Sequence, residues 1–231
     1  MMRFSMSVFS SVGKKIFMGL TGLSLCGFIV IHLIGNLTLL IPDPDPFNKY
    51  SHFLTEELGS VIYVAEAILA AVFLIHFIYA LIVTFDNWKA RPRGYKVTKN
   101  AGHTSKKSIA STTMIYTGVV VIVFLVWHLL HFKYGEIMIT TTADGKVVRD
   151  LYTLVYQFYG NIINVGLYVL VMIMLGFHLS HGFWSAFQSL GLNGKRFTPV
   201  IYGVGSLFAV LMAIGFIFLP VWIFVITGGV S

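Results

Sequence analysis

Long apolar runs alternate along the chain with short polar stretches. Runs carrying no charge, or almost none, are Ile16–Ile41, Leu58–Phe85 (broken only by Glu66), Ser108–Phe132, Leu151–Gly194 and Phe197–Ser231. Each is long enough to supply the ~20 residues that carry a helix across a bilayer. In lipid only helices and closed barrels satisfy every backbone group, and these runs lack the period-two alternation of a barrel. The fourth run is too long for one span, so it divides into an interfacial stretch, Leu151–Tyr159, and a long helix from about Gly160 to Leu190. The expectation is an all-α membrane protein, one domain over residues 1–231, with five transmembrane helices near 14–41, 58–85, 109–133, 160–190 and 198–228.

Composition narrows the picture further. Of 231 residues 57% are hydrophobic and 11% charged, whereas a soluble domain carries roughly 25% charged residues. Too few charges remain to coat a water-facing surface. The single cysteine, Cys26, lies inside the first run. Alone it makes no internal disulfide, Cys-rich zinc site, iron–sulfur cluster or C-x-x-C-H haem attachment, and it reads as a small core residue. The first run is longer than the 7–15 residues of a signal-peptide core and no small-residue cleavage site follows it, so it is expected to stay as a helix.

The formal charge of +7 reads as topology and not as nucleic-acid binding. All but four of the 16 Lys and Arg fall on one side: Arg3, Lys14, Lys15, the loop from Lys89 to Lys107, and Lys195 with Arg196. The other side keeps Lys49, Lys133, Lys146 and Arg149. Because cytoplasmic loops hold the Lys/Arg excess, the N-terminus is expected inside and the C-terminus outside, with anionic lipid as a further contact of the basic side. The setting expected is a bacterial or archaeal cytoplasmic membrane.

Of eight histidines, six lie in the apolar runs: His32, His76, His128, His131, His178 and His181. Ionisable residues within a membrane are costly and point to function. At ~1.5 Å per residue, His32 stands roughly 27 Å along from Lys14, near the outer face, and His128 reaches a similar depth on the third span. The second and fourth spans run the other way, so His76 and His178 approach the inner face. Two pairs result, each joining parallel helices. Two imidazoles at one depth on facing helices suit the axial positions of a b-type haem in a bundle core, and two such levels suit electron transfer. With no Cys, Asp or third His at either level, a tetrahedral zinc set is incomplete.

The spacing leaves two ligand choices open, since His131 stands one turn past His128 and His181 one turn past His178. The spare histidines are candidates for propionate or quinone contacts. Depth favours His128 and His178; His52 and His103 read as loop residues. Thr21-Gly22 precedes His32 and Thr117-Gly118 precedes His128 by the same offset. Each glycine falls at the level of the inner pair, where a missing side chain would admit a macrocycle, although small residues also serve ordinary packing of membrane helices.

These residues resemble a known family, the cytochrome b membrane-anchor subunit of succinate dehydrogenase and fumarate reductase, in its five-helix, di-haem, single-polypeptide form. The segments that carry the resemblance are SSVGKK, LTG and IHLIGN in the first span, and FNKYSHF before the second with LIHFIYAL within it. TG and VWHLLHF mark the third, and FHLSHGFWSAFQSLG marks the fourth. The resemblance implies four haem ligands at His32, His76, His128 and His178, paired first span with third and second with fourth. His178 precedes Gly182-Phe183-Trp184 by four residues, as the family's ligand does. Thr112 stands where many relatives have a basic residue, which moves a propionate partner elsewhere.

The resemblance further implies two haem b groups that pass electrons from a flavoprotein and an iron–sulfur subunit, docked on the basic cytoplasmic side, to a membrane quinone near the outer haem. Menaquinone is the expected quinone, and succinate chemistry lies outside this chain. Glu66 is the one carboxylate within a span and is a candidate proton relay for quinone reduction, or else a carboxyl hydrogen-bonded in the bundle or beside a propionate. Tyr63, Asn36 and His131 are weaker candidates for quinone hydrogen bonds, and Glu56 and Glu57 stand at the outer mouth. Two rivals share part of the pattern: the cytochrome b subunit of another quinone-linked dehydrogenase or hydrogenase, and a haem-free transporter using its intramembrane histidines with Glu66.

Overall fold

A computed structural model describes residues 10–90, 109–192 and 194–229. Arg3, Arg91, Arg93, Lys96, Lys99, His103, Lys106 and Lys107 lie outside the described residues. The first long helix, α1 (Ser11–Asn36), begins where Ser10 accepts a hydrogen bond from Gly13 N (3.0 Å). A 3-10 turn, Leu37–Leu40, closes it. The other long helices are α3 (Ser60–Lys89), α4 (Ile109–His128), α6 (Ile162–Ser189) and α7 (Phe197–Thr227). With the turns that extend them they give five helices long and apolar enough to cross a membrane, and the chain is a multi-spanning membrane protein.

Two short helices and a hairpin occupy the connections. The first is α2 (Pro44–His52), started by the Asp43 carboxylate accepting from Asp45 N (2.9 Å) and by proline in the first turn, where its missing N–H costs nothing. The strands β1 (Ile139–Thr141) and β2 (Val147–Arg149) pair antiparallel with Thr140 opposite Val148. Their turn runs through Asp144-Gly145, with Gly145 at φ +81°, a conformation glycine takes without strain. The second short helix is α5 (Leu151–Tyr159), at the stretch expected to be interfacial. Neither α2 nor the hairpin is anticipated by the apolar runs, because both lie in polar connections too short to show periodicity. The expected span 58–85 is also displaced: α3 starts after Gly59 and continues to Lys89.

The four helices α1, α3, α4 and α6 form a square: α1 packs on α3 and α6, α4 packs on α6, and a lighter contact joins α3 to α4. The parallel helices therefore face each other across the diagonals, α1 with α4 and α3 with α6. Helix α7 packs outside, mainly on α6, and carries a buried Pro220. Small residues permit these approaches: Gly19 lies against the Ala186 backbone, and Gly205 lies under Phe183.

The most thoroughly buried residues sit at one end, away from Lys14. Leu33, Leu39, Phe47, Val155, Tyr159, Val165, Tyr168, Leu219 and Ile223 form one cluster where α1, α2, α5, α6 and α7 converge. Asn48, only 1% exposed, ties this cap together. Its amide donates to Asp150 Oδ1 (2.9 Å) and accepts from Tyr152 N (2.9 Å). Burial works against the charge of Asp150, but bonds from Asn48 and Thr153 outweigh it and hold that carboxyl below its ordinary range. Lys49 bridges Asp144 (2.9 Å) and Asp45 (3.3 Å), pinning the hairpin to α2.

Candidate functional site

Each diagonal of the square carries one histidine pair. His32 of α1 faces His128 of α4 with ring centroids 5.8 Å apart and planes inclined by 79°. His76 of α3 faces His178 of α6 at 6.5 Å and 69°. The two pairs lie at different levels, since Gly22, which meets the ring of His76, precedes His32 by ten residues, roughly 15 Å of helix.

Hydrogen bonds aim the rings. Thr21 Oγ1 donates to the Phe17 carbonyl (2.7 Å) or the Met18 carbonyl (3.2 Å) and lies 3.3 Å from His76 Nδ1. His76 Nδ1 also lies 3.2 Å from the Met18 carbonyl. On the other side of the square, Thr117 Oγ1 donates to Met114 O (3.0 Å) or Thr113 O (3.2 Å) and lies 3.2 Å from His178 Nδ1. The glycine after each threonine leaves room for the ring: a Cβ on Gly22 would meet His76 Cε1 at 3.1 Å, and one on Gly118 would meet His178 Cε1 at 3.5 Å. Offsets along α1 and α4 expose this repeat, but credit it to the glycines alone. The threonines, whose hydroxyls reach the histidines of neighbouring helices, are the part that sequence reasoning misses.

The second level is built differently. His128 Nδ1 meets the phenol of Tyr168 at 3.1 Å, within an aromatic wall of Phe124, Phe132 and Phe158. Tyr168 and Tyr159 are buried and stand edge to face, 5.0 Å apart, joining this wall to the cap. Tyr168 carries no signal in the sequence beyond its place in the fourth run.

Neither His131 nor His181, each one turn past a paired histidine, makes a ring contact with either pair. His131 Nδ1 donates to the Trp127 carbonyl (2.9 Å), and its exposed ring packs between Trp127 and Phe158. His181 stands edge to face with Trp184 at 5.6 Å. Among the described residues no three His, Cys, Asp or Glu side chains converge on a point.

Glu66 does not sit sealed within the bundle. Its carboxylate is half-exposed at the light contact between α3 and α4 and is ion-paired with Lys133, in the π-helical turn Leu129–Lys133 that ends α4. Of the weaker candidates, Tyr63 is exposed, and Asn36 is committed to its own helix, donating to the His32 carbonyl at 2.7 Å. Glu57 pairs with Lys146 at 2.7 Å, which holds its carboxyl below the ordinary range. At the opposite end Lys14 of α1 pairs with Asp86 of α3 at 2.7 Å, closing that edge of the square.

The ring spacings fit a metal held between two imidazoles. Two metal–nitrogen bonds of about 2 Å in line, with about 1 Å more from each nitrogen to its ring centre, separate the centroids by about 6 Å. Direct edge-to-face contact occupies the same range. At His76 and His178 a backbone carbonyl faces the ring, so Nδ1 is the donor and the opposite ring nitrogen keeps its lone pair free. No family model, curated protein or solved structure matches the chain.

Proposed function

We propose that this chain is the di-haem cytochrome b membrane anchor of a succinate:quinone oxidoreductase, serving electron transfer to a membrane quinone, with menaquinone as the expected acceptor. The observation that carries the reading is the pair of histidine pairs, one on each diagonal of the four-helix square and at different levels. His32 and His128 would hold one haem b, and His76 and His178 the other. Such a group, held by two imidazoles, would supply one-electron transfer.

The remaining chemistry belongs to the chain's own groups. Thr21 and Thr117 orient the rings of one pair, and Tyr168 orients His128. Quinone reduction consumes protons as well as electrons, and the Glu66 carboxylate, which accepts from the Lys133 ammonium at the light contact between α3 and α4, is the group that would relay them. By the excess of Lys and Arg, the Lys14 end faces the cytoplasm and receives the iron–sulfur and flavoprotein subunits. His76 and His178 are then the inner pair.

The test is a reduced-minus-oxidised spectrum of the purified protein with haem quantified per chain. Two low-spin b-type haems are expected. Absence of haem, or a stoichiometry of one, overturns the reading.

A further inference from the structure

We infer that Thr21 and Thr117 are positioning residues that fix the tautomer of the inner histidines and tune the redox potential of the group they hold. The inference rests on the haem reading above. It starts from the count of donors and acceptors. A threonine hydroxyl has one hydrogen, and in both residues that hydrogen is directed to a carbonyl one turn back on its own helix. The oxygen's lone pairs are what remain to face the imidazole. His76 Nδ1 also faces the Met18 carbonyl, which can only accept, and the Met114 carbonyl takes the matching place for His178. Nδ1 therefore carries the proton on both rings. Nε2 is left with its lone pair and is the ligating nitrogen.

The arrangement is repeated on both sides of the square. Met18, Thr21 and Gly22 on α1 correspond to Met114, Thr117 and Gly118 on α4, and each set serves the histidine of an adjacent helix. His32 and His128 have no such pairing. His128 meets a phenol, a different class of partner. The threonine effect is thus confined to one of the two levels.

A hydrogen bond from Nδ1–H to an oxygen makes the imidazole a better electron donor, which favours the oxidised and more positively charged metal. Losing one of the two acceptors should weaken that preference and raise the potential. The carbonyl left in place keeps the tautomer and the ligation.

The experiment compares wild type with Thr21→Val/Thr117→Val and Thr21→Ser/Thr117→Ser by spectroscopic redox titration of both haems. In the valine variant the inner potential should rise by the equivalent of a tenfold change in relative affinity for the two oxidation states, about 59 mV for one electron. The outer potential should stay put, and the serine variant should match wild type at both levels. Loss of the inner haem in the valine variant also overturns the inference, since the Met18 and Met114 carbonyls should keep the ligation. An unmoved inner potential, an equal shift at both levels, or identical behaviour of the valine and serine variants overturns it. Failure of the haem reading is separately visible, since wild type would then show no pair of haems to titrate.

Discussion

Gly22 faces His76 so closely that a methyl group on it would stand 3.1 Å from the ring's Cε1. The matching approach of Gly118 to His178 is 3.5 Å, an ordinary contact distance. The two halves of the repeat are therefore unequally tight. Gly22→Ala should push the His76 ring and cost about 1–3 kcal/mol through overpacking. Gly118→Ala should be accommodated. Haem content and thermal unfolding of the two variants in detergent should separate them, with the α1 variant the worse on both measures.

The pairing across diagonals predicts which histidine losses act together. His76→Ala and His178→Ala should each remove the same haem from the difference spectrum, and His32→Ala and His128→Ala the other. His131→Ala and His181→Ala should leave both, since their rings lie against Trp127, Phe158 and Trp184 and outside either pair. Loss of a haem in either of the last two variants would reassign the ligand on that helix.

The depth of the histidines is legible in the sequence because a helix advances by a fixed rise. Equal offsets from a charged end become equal levels, and His32 does meet His128, as His76 meets His178. Rotational phase and crossing geometry are not written in offsets. Thr21 is visible as a repeat with Thr117, yet its partner lies 55 residues away on α3. The ion pair of Glu66 with Lys133 is hidden for a related reason. Lys133 reads as the last residue of the third span, with nothing in the sequence to turn it toward α3, whereas the π-helical turn at the end of α4 sets it beside Glu66. The cap carries local signals, an Asp-Pro helix start at Asp43-Pro44 and an Asp-Gly turn at Asp144-Gly145, which hydropathy alone passes over.

Asn48 should dominate the stability of that cap. Asn48→Ala removes a bond to the Asp150 carboxylate and leaves the Tyr152 N–H without its acceptor. The expected cost is roughly 2–4 kcal/mol. Hydrogen exchange should reveal it as faster exchange in α2, the hairpin and α5, while the centre of the long helices keeps its protection.

The hairpin should detach in acid. Hydrogen bonds from Thr142 and Lys49 depress the Asp144 carboxyl to about 2. A carboxyl depressed on folding contributes stability that is fully present above its unfolded value of about 3.9. That contribution declines as pH falls and is gone below about 2. Carbon NMR of labelled aspartate should find Asp144 titrating near the lower value in wild type. In Lys49→Met the titration should move up toward the ordinary value.

Glu66 offers the sharpest separation of proton handling from electron handling. It touches neither histidine pair, so Glu66→Gln should leave both haems and their reduction by succinate in the assembled complex intact. The variant keeps shape and removes the charge that pairs with Lys133. If the carboxylate relays protons to quinone, turnover with a menaquinone analogue should fall by about 10²-fold, the scale of a lost general acid–base group. Lys133→Met, which leaves Glu66 present but unpaired, should lower turnover less and alter its pH profile. Normal quinone turnover in Glu66→Gln would confine the ion pair to holding α3 against α4, and the thermal stability of the two variants would then fall together.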